Sequence, residues 1–279
     1  MDADEARERI LNGTAPPDLS VEGDLPLRGC PSLAVLPDGL TVGGWLDVSE
    51  CPLLTALPPR LRVGKGLDAS GCTALRSLPD DLILSSLLDL RGCTSLVALP
   101  DGLVVGWYLD LVDCTALTAL PPGLFVPGYL NLSGCTSLVT LPERLFVSDY
   151  LDASGCTALK SVSKGVEVDG ILWLTGCTSL EIIAEGLCVG ENLNLTGCTA
   201  LQVLPSDIKV RGNLHLEGCT SLTALPDGLE VGGHLDLSGC SSLRKLPDGL
   251  SVEGYLDLRG CTALSGLPEG LSVGGKLYR

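Results

Sequence analysis

Two residue types in this chain are spaced as if for chemistry. Twelve of the thirteen cysteines fall 21 residues apart, from Cys30, Cys51 and Cys72 through to Cys240 and Cys261. Four residues before the periodic cysteines from Cys51 to Cys261 runs an acidic ladder: Asp47, Asp68, Asp89, Asp110, Asn131, Asp152, Trp173, Asn194, His215, Asp236 and Asp257. A row of thiols is the raw material of disulfides or of soft-metal sites. A row of carboxylates is the raw material of acid–base hydrolysis or of cation binding.

The spacing argues against most of that chemistry. Neighbouring rungs of a β-stack lie about 4.8 Å apart, within reach of a disulfide, but the side chains point in parallel toward the core. A metal ladder needs His or carboxylate partners at tetrahedral spacing, and none accompanies the cysteines, so no metal or other cofactor is expected. Buried free cysteine behaves as a small hydrophobe. Cys188 alone is off the ladder and should face outward as a modifiable thiol. Acid–base catalysis needs carboxyl groups in unlike environments, whereas this ladder repeats one environment. A solenoid polysaccharide-acting enzyme is therefore the least favoured reading, and the chain reads as no enzyme. The aspartates either keep a sheet soluble or present a negative surface to a basic partner; like charges one rung apart repel, so stability alone gives no reason for the row.

A fixed 21-residue period means one small unit stacked on copies of itself. Residues 250–270, LSVEGYLDLRGCTALSGLPEG, show the unit well. Leu250, Val252, Leu256 and Leu258 keep an every-second-residue apolar phase, the strand signature. Gly254 marks a corner between them, which predicts two short strands per coil. The Gly-Cys pair and the Leu-Pro-x-Gly stretch mark the other corners. Seven columns look inward: the two of Leu-x-Val, the two of Leu-x-Leu, the cysteine, and two later leucines. Each coil alone buries nothing, but stacked coils bury a continuous aliphatic column. The expected fold is a mainly β, right-handed, weakly curved repeat solenoid of about twelve coils over residues 19–279. Residues 1–18 lie outside the period, with a short helical candidate from Asp2 to Leu11 stopped by Asn12-Gly13. It is expected to cap the first coil. The last coil reads as uncapped, a route to end-to-end self-association.

The segment Leu-x-Leu-x-x-Cys-x-x-Leu, as in LNLSGCTSL at 130–138, resembles the leucine-rich-repeat superfamily over about residues 19–279. The following Leu-Pro-x-x-Leu, as in LPERL at 141–145, is similar to short repeats of bacterial effector proteins. The Ser-Gly-Cys run resembles repeats of plant immune receptors. Val252 stands four before Leu256, where the family usually has a leucine three before. The resemblance implies protein binding as the function.

The outward columns carry the site. None of the ten aromatic residues falls in an inward column, an inversion of the usual distribution. The column two residues before the acidic ladder holds Trp45, Tyr108, Tyr129 and Tyr150, and Trp173 stands in the ladder itself. The outward column of the other strand reads Ile83, Val104, Phe125 and Phe146 over four consecutive coils. Exposed apolar and aromatic strips mark interaction sites. The candidate partner-binding set is Trp45, Asp89, Tyr108, Asp110, Tyr129, Asn131, Tyr150, Asp152 and Trp173. Ile83, Val104, Phe125 and Phe146 form a secondary apolar patch.

A net charge of −16 excludes nucleic acid, whose phosphates need a basic footprint, and an anionic membrane surface. No stretch has a signal peptide's basic start and apolar core. The expected protein is a cytoplasmic, non-catalytic recognition module for another protein in a reducing compartment, with delivery into a host cell open. A structural or self-assembling rod is the alternative.

Overall fold

The computed structural model describes all 279 residues. The chain is a parallel-strand β-solenoid of about twelve turns, with one helix. Its internal contacts divide it into two units, Met1–Cys135 and Thr136–Arg279.

In the first unit, strands Ser20–Val21, Thr41–Val42, Arg62–Val63, Ile83–Leu84 and Val104–Val105 form one parallel sheet. Strands Leu25–Pro26, Leu46–Asp47, Leu67–Asp68, Leu88–Asp89, Leu109–Asp110 and Leu130–Asn131 form a second. Every residue pairs with the one 21 positions on, for example Leu88 with Leu109 and Asp89 with Asp110. Strands of two residues suffice because each turn is braced on both sides by a copy of itself.

The helix, Ala3–Leu11, follows from local signals. The Asp2 side chain accepts the Glu5 amide at 2.9 Å, satisfying one of the donors left bare at a helix start. Asp4 and Glu5 suit its positive end and Arg9 its negative end. Ala6 and Ile10 are its buried face, packed over the first turn near Leu25–Pro26. The helix covers apolar surface that the first turn has no predecessor to bury.

In the second unit the same two positions run from Phe146–Val147 to Ser272–Val273 and from Leu151–Asp152 to Leu277–Tyr278. Here the two-strand expectation needs correction. A third parallel run appears at Thr140–Leu141, Ser161–Val162 and Ile182–Ile183. Elsewhere it is reduced to single bridges, Ala56 with Ser77, Ala98 with Ala119, and Ala224 with Lys245. The reason is the residue after the second inward leucine. It is proline in most turns, and proline has no N–H to give a ladder. Where it becomes Ser163 and Ala184, their amides donate to Leu141 O at 3.1 Å and Val162 O at 2.9 Å. A strand forms at once.

All seven expected inward columns are buried. In one turn these are Leu40, Val42, Leu46, Val48, Cys51, Leu54 and Leu57. No aromatic residue is in the core. The corner before each cysteine takes a left-handed backbone, with Gly92 at φ +70° and Gly176 at +72°. Glu50 and Asp113 adopt the same conformation at +56° and +57° in place of glycine.

Candidate recognition surface

The acidic ladder first does a local job. In the first unit Oδ1 of Asp47, Asp68, Asp89, Asp110 and Asn131 accepts the backbone amide two residues on, at 2.9 to 3.2 Å. The same bond recurs at Asp152, Asn194, Asp236 and Asp257 in the second unit. Each is an Asx-type bond that turns the chain toward the cysteine. Thus a like-charge row does have a structural reason, because each carboxylate satisfies its own turn. Asparagine does this as well as aspartate, so the charge itself is surplus to the turn.

The ladder is not uniform. Asp47 and Asp68 are half-buried, but Asp89 and Asp110 are only 7% and 8% exposed. Arg91 grips Asp89 bidentately, Nε to both oxygens at 3.0 Å and Nη2 to Oδ2 at 2.6 Å. Its Nε lies 3.8 Å from Asp110. The hydrogen bond to Asp89 pushes the Arg91 guanidinium further up. Burial pushes Asp110 above the usual carboxylate range, the nearby Asp89 adds to this, and the Val112 amide opposes it. Burial also raises Tyr108.

Beside these carboxylates the rings of Tyr108 and Tyr129 stack, 4.4 Å apart and 10° from parallel. Trp107 stands edge-on to Tyr108 at 5.8 Å. It is 58% exposed, the most exposed aromatic ring of the chain. The candidate set missed Trp107 because it occupies a corner position that is glycine at Gly23, Gly44 and Gly128. Its bulk there was the available signal. Its ring lies over Gly128, where a Cβ would collide with it. Round the corner Ile83, Val104 and Phe125 are exposed, Ile83 and Val104 in register on adjacent strands. Trp45 is not part of this cluster. Three turns away in the column, its ring covers Gly66 and its amide donates to Asp24 Oδ1 at 2.8 Å.

In the second unit Tyr150 and Trp173 meet edge-on at 5.4 Å, and Asp152 is in register with Trp173. Phe146 is half-buried and pairs with Glu167. Further along, an open groove is lined by Asp207, Lys209, Arg211, Glu230, Ser251 and Glu253. Its carboxylates lie among cations.

The thirteen cysteines are free thiols. In the first unit the thiol of Cys51 donates to Leu27 O, Cys72 to Val48 O, Cys93 to Ala69 O and Cys114 to Leu90 O, at 3.1 to 3.2 Å. The second unit repeats this from Cys177 to Cys261. Burial drives the thiols inside the stack upward, Cys72 to about 11 and Cys177 and Cys219 to about 12. Cys188, in an outward column, is half-buried. No three ligating side chains converge as a metal site would require, and no helix is long and apolar enough to cross a membrane.

The chain matches no known family profile, no curated protein and no solved structure at a significant level. Its surface chemistry must therefore be read from its own residues.

Proposed function

We propose that this chain is a non-catalytic recognition module that binds another protein through its exposed aromatic and acidic columns. The observation that carries this reading is the Trp107–Tyr108–Tyr129 cluster. Three rings stand on the surface of a protein whose core uses none, flanked by Asp89 and Asp110 and adjoining exposed Ile83, Val104 and Phe125. Rigid rings ringed by charge are the composition of protein-binding hot spots. The net charge of −16 favours a partner with a basic contact surface and would speed its encounter. In the second unit Tyr150, Asp152 and Trp173 supply a smaller surface of the same chemistry.

The repeat Leu-x-Leu-x-x-Cys-x-x-Leu supports kinship with leucine-rich repeats, including the short bacterial effector type, as part of this proposal. Free, buried thiols fit a reducing compartment, the cytoplasm of the source cell or of a host.

The test is affinity capture with the full chain against Trp107→Ala and the pair Tyr108→Ala, Tyr129→Ala. A partner retained by the native chain and lost by both variants, with their thermal unfolding little changed, is the expected result. Equal capture by all three would refute it.

A further inference from the structure

The second unit builds one constellation twice. In the first instance Tyr255 and Asp257 sit beside Tyr278, which is in register with Asp257 on the next strand. The rings of Tyr255 and Tyr278 meet edge-on, 6.0 Å apart at 80°. In the second instance Tyr150 and Asp152 sit beside Trp173, in register with Asp152. These rings also meet edge-on, 5.4 Å apart at 69°. Within the acidic ladder an aspartate is followed one turn later by an aromatic residue at these two places alone.

The two differ in what fills them. Two residues after Asp257 comes Arg259; two after Asp152 comes Ser154. Arg259 Nε donates to both oxygens of Asp257 at 3.0 Å and Nη2 donates to Oδ2 at 2.5 Å. Its guanidinium carbon lies 5.4 Å from the centre of the Tyr278 ring. The hydrogen bonds from Arg259 hold Asp257 below the usual carboxylate range, although Asp257 is only 3% exposed. At Asp152, Oδ1 accepts the Ser154 amide at 2.8 Å, and the chain supplies no cation of its own. The acceptor and the ring are in place without the guest.

We propose that Asp152 and Trp173 form a receptor for the guanidinium of a partner's arginine, seated as Arg259 is seated between Asp257 and Tyr278. This deepens the recognition reading and rests on it, naming the chemistry of the contact in the second unit. Arginine fits better than lysine because its planar fork meets both carboxylate oxygens while its face lies against a ring. Tryptophan offers a cation a better face than the tyrosine of the filled site. The ring is held by its edge contact with Tyr150, so little ordering accompanies docking.

The chain has three tryptophans, so three indole N–H resonances report in a nitrogen-labelled sample, assigned by single Trp→Phe changes. An acetylated tri-arginine peptide should move the Trp173 resonance saturably, and tri-lysine should do so more weakly. Asp152→Asn keeps an oxygen for the Ser154 amide, as Asn194 does for Thr196, so the turn survives. It should weaken tri-arginine binding about tenfold, a loss of about 1.4 kcal/mol. Ser154→Arg should fill the seat from within and abolish the response while the protein stays folded. A silent Trp173, or equal responses in native, Asp152→Asn and Ser154→Arg proteins, would overturn the proposal. The titration needs no native partner, so its failure stands apart from failure of capture through Trp107, Tyr108 and Tyr129. A saturable response weakened in Asp152→Asn and lost in Ser154→Arg supports the seat even if no partner is captured.

Discussion

The thiol of Cys114 donates to the carbonyl oxygen of Leu90, 3.2 Å away and 24 residues earlier in the chain. The same oxygen accepts the amide of Cys93 at 3.0 Å. One carbonyl thus serves its own turn through an amide and the next turn through a thiol. This gives the cysteine column a reason beyond size, since valine would fill the space and leave the second lone pair unused. Cys114→Ala removes the sulfur and the donor together. It should cost about 1–3 kcal/mol, read by urea unfolding. Cys114→Ser keeps a donor and should cost less than Cys114→Ala; the reverse order would show that packing alone selects sulfur.

The ladder thiols should be inert in the native state. With pKa values pushed to about 11 at Cys72 and about 12 at Cys177 and Cys219, the reactive thiolate is scarce near pH 8. Titration with a disulfide reagent should show one promptly reacting thiol, absent in Cys188→Ser, with half-buried Cys261 slower. Full reaction should follow unfolding. The same shifts set an alkaline limit. The unfolded chain loses thiol protons near the ordinary value, about 8.5, while the folded chain holds them to about 11–12 at these sites. The native state therefore binds more protons over that window, and stability falls as pH rises through it. Thermal midpoints measured from pH 7 to 10 should drop beyond about 8.5.

Asp110 predicts an effect of the same sign at lower pH. Burial raises its pKa in the fold, so the folded state binds the extra proton and stability is lost as pH rises through that raised value. At neutral pH the charge is a liability. Asp110→Asn keeps an acceptor for the Val112 amide, as Asn131 does for Ser133. It should raise the melting temperature at pH 7, and the gain should shrink on acidification. A lower melting temperature at pH 7 would show that the Arg91 contact outweighs burial.

Two glycines separate backbone strain from collision. At Gly92, φ is +70° and an added Cβ would make only ordinary contact with Gly71. Gly92→Ala should therefore cost about 1–2 kcal/mol, the penalty for a left-handed residue. At Gly190 an added Cβ would overlap the Asp169 carbonyl oxygen of the turn before. Gly190→Ala should cost more than Gly92→Ala in the same unfolding assay.

Much of this was legible in one dimension. Leu250, Val252, Leu256 and Leu258 alternate, so the inward columns could be assigned from the sequence, and all seven are buried in turns such as Leu40–Leu57. The third run was missed because its ladder depends on Ser163 and Ala184 standing where most turns have proline. Trp107 was missed because a corner position was read as a spacer. The Asx bonds of the acidic ladder escaped because an aspartate's partner was sought across turns, when it lies two residues on in the same one.

The sequence by itself determined the period, the alternation and the corners, since each depends on neighbours a few residues away along one chain. The stacking of turns decided which carbonyl receives each thiol, that Asp89, Asp110 and Asp257 are buried while Asp47 and Asp68 are half-exposed, and that Asp152 faces Trp173. Those relations join residues 21 or 24 positions apart, and side chains at that separation meet only once the turns are laid in register.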